Sequence, residues 1–175
     1  MVTKTINLYS FDELSEDAQK KAVNSLSDIN VSHEWWDYIY EDAKRIGLNI
    51  MEFDTDHYCN GKLLVSLYEC CDLILTEHGP DCETFKLAKY YQNQWDELVK
   101  KYSDGENTDQ VSEENESEFD NLADELEEDF RKSLLEDYRI MLRKEYEYLT
   151  SSEAIIETIK SNEYTFTENG KLENI

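Results

Sequence analysis

The chain is poor in the residues that break regular structure. One proline (Pro80) and five glycines stand in 175 residues, which fits a mainly helical chain better than a β-sandwich full of turns. No apolar run approaches the roughly 18 residues that a membrane helix needs, so no membrane partner is expected. The four cysteines include the neighbours Cys70 and Cys71, which suit disulfides poorly. With no signal-peptide pattern at the start, they give the expectation of a soluble, cytoplasmic protein. Signatures of catalysis are missing as well. There is no Gly-rich phosphate loop, no GxSxG, no HExxH and no histidine beside a persuasive nucleophile, and acid pairs are so common that none stands out. The expectation is a protein that is not an enzyme and needs no cofactor.

Positive charge is the scarcest commodity. Lys and Arg total 17 against 41 Asp and Glu, for a net charge of −24. Such a field repels nucleic acid and anionic membrane and attracts basic protein surfaces. What remains is enough for one packed core, because the chain holds 12 tyrosines, six phenylalanines and three tryptophans. A single domain over residues 1–175 is expected.

The stretch from Ser117 to Leu149 organises the chain. Phe119, Leu122, Leu126, Phe130, Leu134, Tyr138, Met141, Leu142, Tyr146 and Leu149 recur at steps of three or four, the period of one helix face. Ser117 with Asp120 reads as a capping box. At ~1.5 Å per residue this helix is on the order of 50 Å long. Its apolar stripe must be covered by the rest of the chain, which predicts an α+β fold: one long helix in the C-terminal half, packed with shorter helices on a small, mostly antiparallel sheet.

The other elements follow in order. Thr3 to Tyr9 alternates as a strand, and Ser10 or Asp12 caps a helix with Phe11, Leu14, Ala18, Ala22 and Leu26 inward. Ser32 opens a second helix that Gly47 closes. Leu48 to Phe53 alternates as a strand, and Asn60-Gly61 is the strongest hairpin signal, joining it to the strand from Lys62 and placing these two at the sheet centre. Leu67 to His78 and Asp81 to Tyr102 are helical, separated by Gly79-Pro80. Residues 103–116 are polar and short of apolar anchors, which predicts a flexible acidic loop. Ser151 or Ser152 starts a last short helix, and a strand and turn close the chain.

The acidic run from Asp104 to Asp129 holds 13 carboxylates, and no basic residue lies between Lys101 and Arg131. Carboxylates three or four apart on a helix lie ~5–6 Å apart, while a DNA strand places a phosphate about every 3.4 Å of axis. Rows of acid on a rigid rod can therefore imitate part of a duplex. The residues that would carry this are Glu113, Glu114, Glu116, Asp120, Asp124, Glu125, Glu127, Glu128 and Asp129. A solvated face that only maintains solubility is the plainer reading, and the pairs Glu127 with Arg131 and Glu128 with Lys132 favour it.

Three further sets of residues have spacings that suit a site. Trp35, Trp36 and Tyr40 give a helix with two adjacent tryptophans that cannot face the same way, so they form an alternative, aromatic interface. His57, Cys59, His78 and Cys82 are weak candidates for a zinc site, since no CxxC is present. Asp54, Asp56 and Asn60 have a calcium-like spacing but lack the later bidentate Glu of an EF-hand loop.

The words LYSFDELSEDAQKKAV, EWWDYIYEDAKRIGLNIMEFDTD, EHGPDCETFKLA and LLEDYRIMLRKEYEYLTSSEAIIETIKSNEYTFTENGKL resemble a family of small acidic proteins of phages and mobile elements, loosely labelled antitoxin-like. The similarity covers most of the chain outside residues 103–116. It implies a bacterial host cell and an inhibitor of host anti-phage defence, a restriction or CRISPR nuclease or another DNA-handling protein blocked by occupation of its basic surface. The alternative is an antitoxin-like protein that neutralises a toxin through the aromatic set. A small zinc-stabilised domain or enzyme is the third.

Overall fold

A computed structural model describes residues 6–104, 107–111 and 115–173. It is an α+β fold with six α-helices among the described residues and three separate two-stranded antiparallel sheets. The chain comprises two compact units. The first comprises residues 1–35 and 144–175, the second residues 36–143.

In the first unit, β1 (Tyr9–Ser10) pairs with β6 (Thr165–Phe166), Tyr9 opposite Phe166. Of the strand expected from Thr3, residues 3–5 lie outside the described residues, and only Tyr9 joins a ladder. The expected helix from Phe11 is broken. Ser10 and Glu13 form a capping box around a 3-10 turn at Phe11–Glu13, and α1 (Glu16–Ser25) then starts afresh with Ser15 accepting the Ala18 N–H. Two caps five residues apart compete for one helix, and the chain uses both. Helix α6 (Ser152–Ser161) is capped by Ser151. Phe11, Leu14, Ala18 and Ala22 pack against Ile155, Ile159 and Phe166 to form this unit's core. Asn30 ties the loop after α1 to the two C-terminal helices, donating to the Leu149 carbonyl at 3.0 Å and accepting from Thr158 of α6 at 2.7 Å.

In the second unit, α2 (Asp37–Arg45) starts later than expected. Ser32 lies five residues upstream, and the N-cap is Trp36, which makes no side-chain cap. Gly47 ends the helix at φ +82°, a conformation that a Cβ disfavours. Strands β2 (Leu48–Asp54) and β3 (Tyr58–Leu63) form a hairpin that pairs with no third strand among the described residues, not the centre of a sheet. Its turn is at Thr55, Asp56 and His57 rather than at Asn60-Gly61. The Asp54 carboxylate accepts the N–H groups of Asp56 and His57 at 2.9 and 3.0 Å, a side-chain turn that outcompetes the Asn-Gly signal. Gly61 lies inside β3 for a packing reason. A Cβ there would sit 2.6 Å from the Asn49 carbonyl oxygen and 2.9 Å from a Leu135 methyl carbon.

Helices α3 (Leu67–Glu77) and α4 (Glu83–Tyr102) follow as expected. The stretch 103–116, expected as a loop, contains β4 (Ser103–Asp104) paired with β5 (Asn107–Val111). Helix α5 runs from Glu116 to Leu149, so Ser117 is inside it and not its cap. The division between the units falls within this helix. Phe130, Leu134, Tyr138 and Leu142 of the expected stripe are fully buried, whereas Phe119, Leu122 and Leu126 are only half-buried. Each fully buried side chain of this size contributes about 1.5–3 kcal/mol, so the second half of the stripe anchors the helix.

Candidate functional site

The first half of α5 is set by what lies beneath it. Phe119 packs edge-on between Trp95 and Tyr102, with ring centroids 6.0 and 6.1 Å away. The Tyr102 hydroxyl donates to Glu118 at 2.6 Å and accepts from Lys101 at 2.9 Å. These contacts hold the start of the helix against the end of α4. Glu116 and Glu118 in the first turn also complement the helix dipole.

From this base the acids run outward. Glu116, Asp120, Asp124 and Glu128 are four apart, which places them in one row, ~18 Å long at the rise of an α-helix. Glu127 stands beside that row, and Glu125 and Asp129 make a second one further round. Glu116, Asp120, Asp124, Glu125, Glu127 and Asp129 are exposed. Among the described residues, Asp120, Asp124, Glu125, Glu127 and Asp129 make no side-chain hydrogen bond and no ion pair. Glu113 and Glu114 lie outside the described residues.

Glu128 differs from its neighbours. It accepts from Arg131 at 2.7 and 2.9 Å and pairs with Lys132 at 3.2 Å. The hydrogen bonds from Arg131, then that from Lys132, pull its carboxyl down to about 2. The expected pair of Glu127 with Arg131 does not form. Arg131 also donates to the Gly61 carbonyl at 2.9 Å, and one turn pair further on Arg139 repeats the device, holding Glu136 and donating to the Thr55 carbonyl at 2.7 Å. Both arginines are occupied in fixing the hairpin to α5.

The aromatic set is divided. Trp35 is 9% exposed and packs on Tyr146 in the first unit. In the second, Trp36 and Tyr40 lie half-buried on either side of Phe53, at 5.5 and 6.1 Å. Burial pushes the Tyr40 hydroxyl up to about 12. All three are packed, and the outward aromatic of α2 is Tyr38.

The zinc candidates do not assemble. His57 is exposed on the hairpin turn against Asp54, Cys82 is exposed ahead of α4, and His78 is engaged with Thr84. Cys59 is half-buried, its thiol pushed up to about 11 by burial. No group of three or more His, Cys, Asp or Glu side chains that could hold a metal ion occurs among the described residues, which also leaves Asp54, Asp56 and Asn60 without a calcium cage.

One constellation was not legible in the sequence. Asp42 of α2 accepts from the Tyr138 hydroxyl at 2.8 Å and from Arg45 at 2.6 Å. Behind it, His78 Nδ1 lies 2.7 Å from the Thr84 hydroxyl, and His78 Nε2 is 3.5 Å from Asp42 without a hydrogen bond. Burial and the Asp42 charge raise the Tyr138 pKa strongly, so that hydroxyl stays protonated. The order carboxylate, imidazole, hydroxyl has the look of a relay, but Thr84 is 5% exposed and no substrate reaches it. Its partners are up to 96 residues apart, and no local spacing announces them.

No helix among the described residues is long and apolar enough to cross a membrane. No protein-family model, curated protein or solved structure matches the chain.

Proposed function

We propose that this chain is an acidic binding protein that inhibits a DNA-handling protein, of the restriction or CRISPR nuclease class in a phage's bacterial host, by occupying its basic surface as a DNA mimic. The observation that carries the reading is the unspent charge of α5. Residues 116–130 hold eight carboxylates and no cation, and six of the eight, all but Glu118 and Glu128, have no hydrogen-bond or ion-pair partner among the described residues. Charges that the fold does not use, held on a rigid helix, remain available to a partner's cations. Glu128, already neutralised by Arg131 and Lys132, contributes least. The main row is ~18 Å long, about five phosphate steps along a strand's axis, so such a mimic covers a short length of a DNA-binding groove.

The test is capture of partners from bacterial lysate on the tagged protein, with elution by rising salt and by duplex DNA. A DNA-handling protein released by both is expected, because electrostatic contacts weaken steeply with ionic strength. The variant Asp120→Lys/Asp124→Lys/Glu127→Lys should lose that protein. Retention by the variant would end the reading. The antitoxin-like alternative has less support, since Trp35, Trp36 and Tyr40 are taken up by packing.

A further inference from the structure

The second unit contains a cleft of about 730 Å³ that the acidic face does not use, lined by Tyr38, Ile39, Glu41, Asp42, Lys44, Arg45 and Met141. Its volume is that of a small-molecule site. The geometry points to binding of a small organic anion with an apolar body, an aryl or alkyl carboxylate, sulfonate or phosphate, seated on Tyr38 and Met141 with its charge on Lys44 and Arg45. The apolar part of the lining is Tyr38, which is 54% exposed, with Ile39 and Met141. The two cations are adjacent in the last turn of α2. Among the described residues Lys44 pairs with no carboxylate, and Arg45 is bonded to Asp42 through one nitrogen, leaving other N–H groups to donate.

The floor is arranged to release Arg45. Asp42 already holds the Tyr138 hydroxyl on Oδ2, and His78 Nε2 waits 3.5 Å from that oxygen without a hydrogen bond of its own. In the tautomer whose Nδ1 accepts the Thr84 hydroxyl proton, Nε2 carries the hydrogen and faces the carboxylate. When Arg45 turns to an incoming anion, a shift of less than an ångström brings His78 into hydrogen-bond range of Asp42, roughly 2.7–3.2 Å. A buried polar group without a partner is costly and calls for such an explanation. Glu41 and Asp42 are the opposing charges of the lining; Asp42 is bonded to Arg45, and Glu41 disfavours ligands with more than one negative group.

The probe is 8-anilinonaphthalene-1-sulfonate, compared with its uncharged relative N-phenyl-1-naphthylamine, by fluorescence titration and by NMR of the histidine rings. Only three histidines are present, which makes the His78 signal assignable. The sulfonate should saturate at one per chain, and Lys44→Gln and Arg45→Gln should each weaken it about tenfold or more, as loss of a charge-assisted bond does. Binding of the uncharged relative should be the same in all three proteins. Glu41→Gln should tighten the sulfonate. The His78 signal should move on saturation in the wild type and stay fixed in Asp42→Asn. Arg45→Gln also removes a partner of Asp42, so Lys44→Gln, with near-ultraviolet dichroism to confirm the fold, is the decisive variant. Unchanged sulfonate affinity in Lys44→Gln, or equal losses for the charged and uncharged probes, would overturn the site. Saturation with a motionless His78 signal in the wild type would overturn the exchange at Asp42.

Discussion

From Glu116 to Phe130, α5 carries eight carboxylates and no cation, whereas from Arg131 to Leu149 it carries five cations and four carboxylates. The second half spends its charge on the fold. Arg131 and Arg139 each grip an acid of their own helix and a carbonyl of the hairpin, beside side chains that are wholly buried. Ahead of Phe130 the first half rests on half-buried apolar groups, and it leaves most of its acids unpaired. One helix thus separates two tasks, anchoring and presentation. Substitutions should sort by the half in which they fall.

The largest expected effect is in the anchoring half. Leu134→Ala empties a fully buried position and should cost about 2–5 kcal/mol, while Leu122→Ala in the presenting half should cost well under half as much. Urea unfolding of the two variants checks this, and equal losses would erase the distinction. Tyr138→Phe comes next. It leaves Asp42 with Arg45 and a distant imidazole, and a loss of about 1–2 kcal/mol is expected.

The pH dependence is smaller and belongs to Glu128. Its folded pKa of about 2 lies below its ordinary value of 4.5. A depressed carboxylate stabilises the fold above its unfolded pKa, and that contribution is lost as pH falls from about 4.5 through about 2. Glu128→Gln should flatten the urea midpoint over this window relative to the wild type. An unchanged slope would mean that the Arg131 bond does not persist in solution. Smallest of all should be the stability change of Asp120→Asn/Asp124→Asn/Glu127→Gln, within about 0.5 kcal/mol and in the favourable direction if self-repulsion dominates. Partner capture should fall sharply in the same variant, so the two readouts together test presentation without anchoring.

How much of this could be read from the sequence depends on range. The stripe of α5 and the acids of its first half were legible because helical period is a local signal. The helix starts were less so. Ser117 and Ser32 are acceptable caps, but Glu116 and Asp37 begin the helices. Asn60-Gly61 misled for the same reason in reverse. The dipeptide favours a turn, yet Leu135, 74 positions later in the chain, requires the missing Cβ at Gly61, and the Asp54 carboxylate supplies a turn elsewhere. The roles of Arg131 and Arg139 lie 70 and 84 residues from their carbonyl partners. Such long-range pairings leave no local trace. The network of Asp42, Tyr138, His78 and Thr84 was hidden likewise, each member an unremarkable polar residue until the fold gathers them.

The parting of Trp35 from Trp36 has a practical consequence. One peptide bond separates two indoles that report on different cores, Trp35 against Tyr146 and Trp36 against Phe53. With Trp95 and one of the pair replaced by phenylalanine, each chain becomes a single-tryptophan thermometer for one unit. Coincident melting of the two emission signals would mark a single cooperative transition, and separate midpoints would give each unit its own.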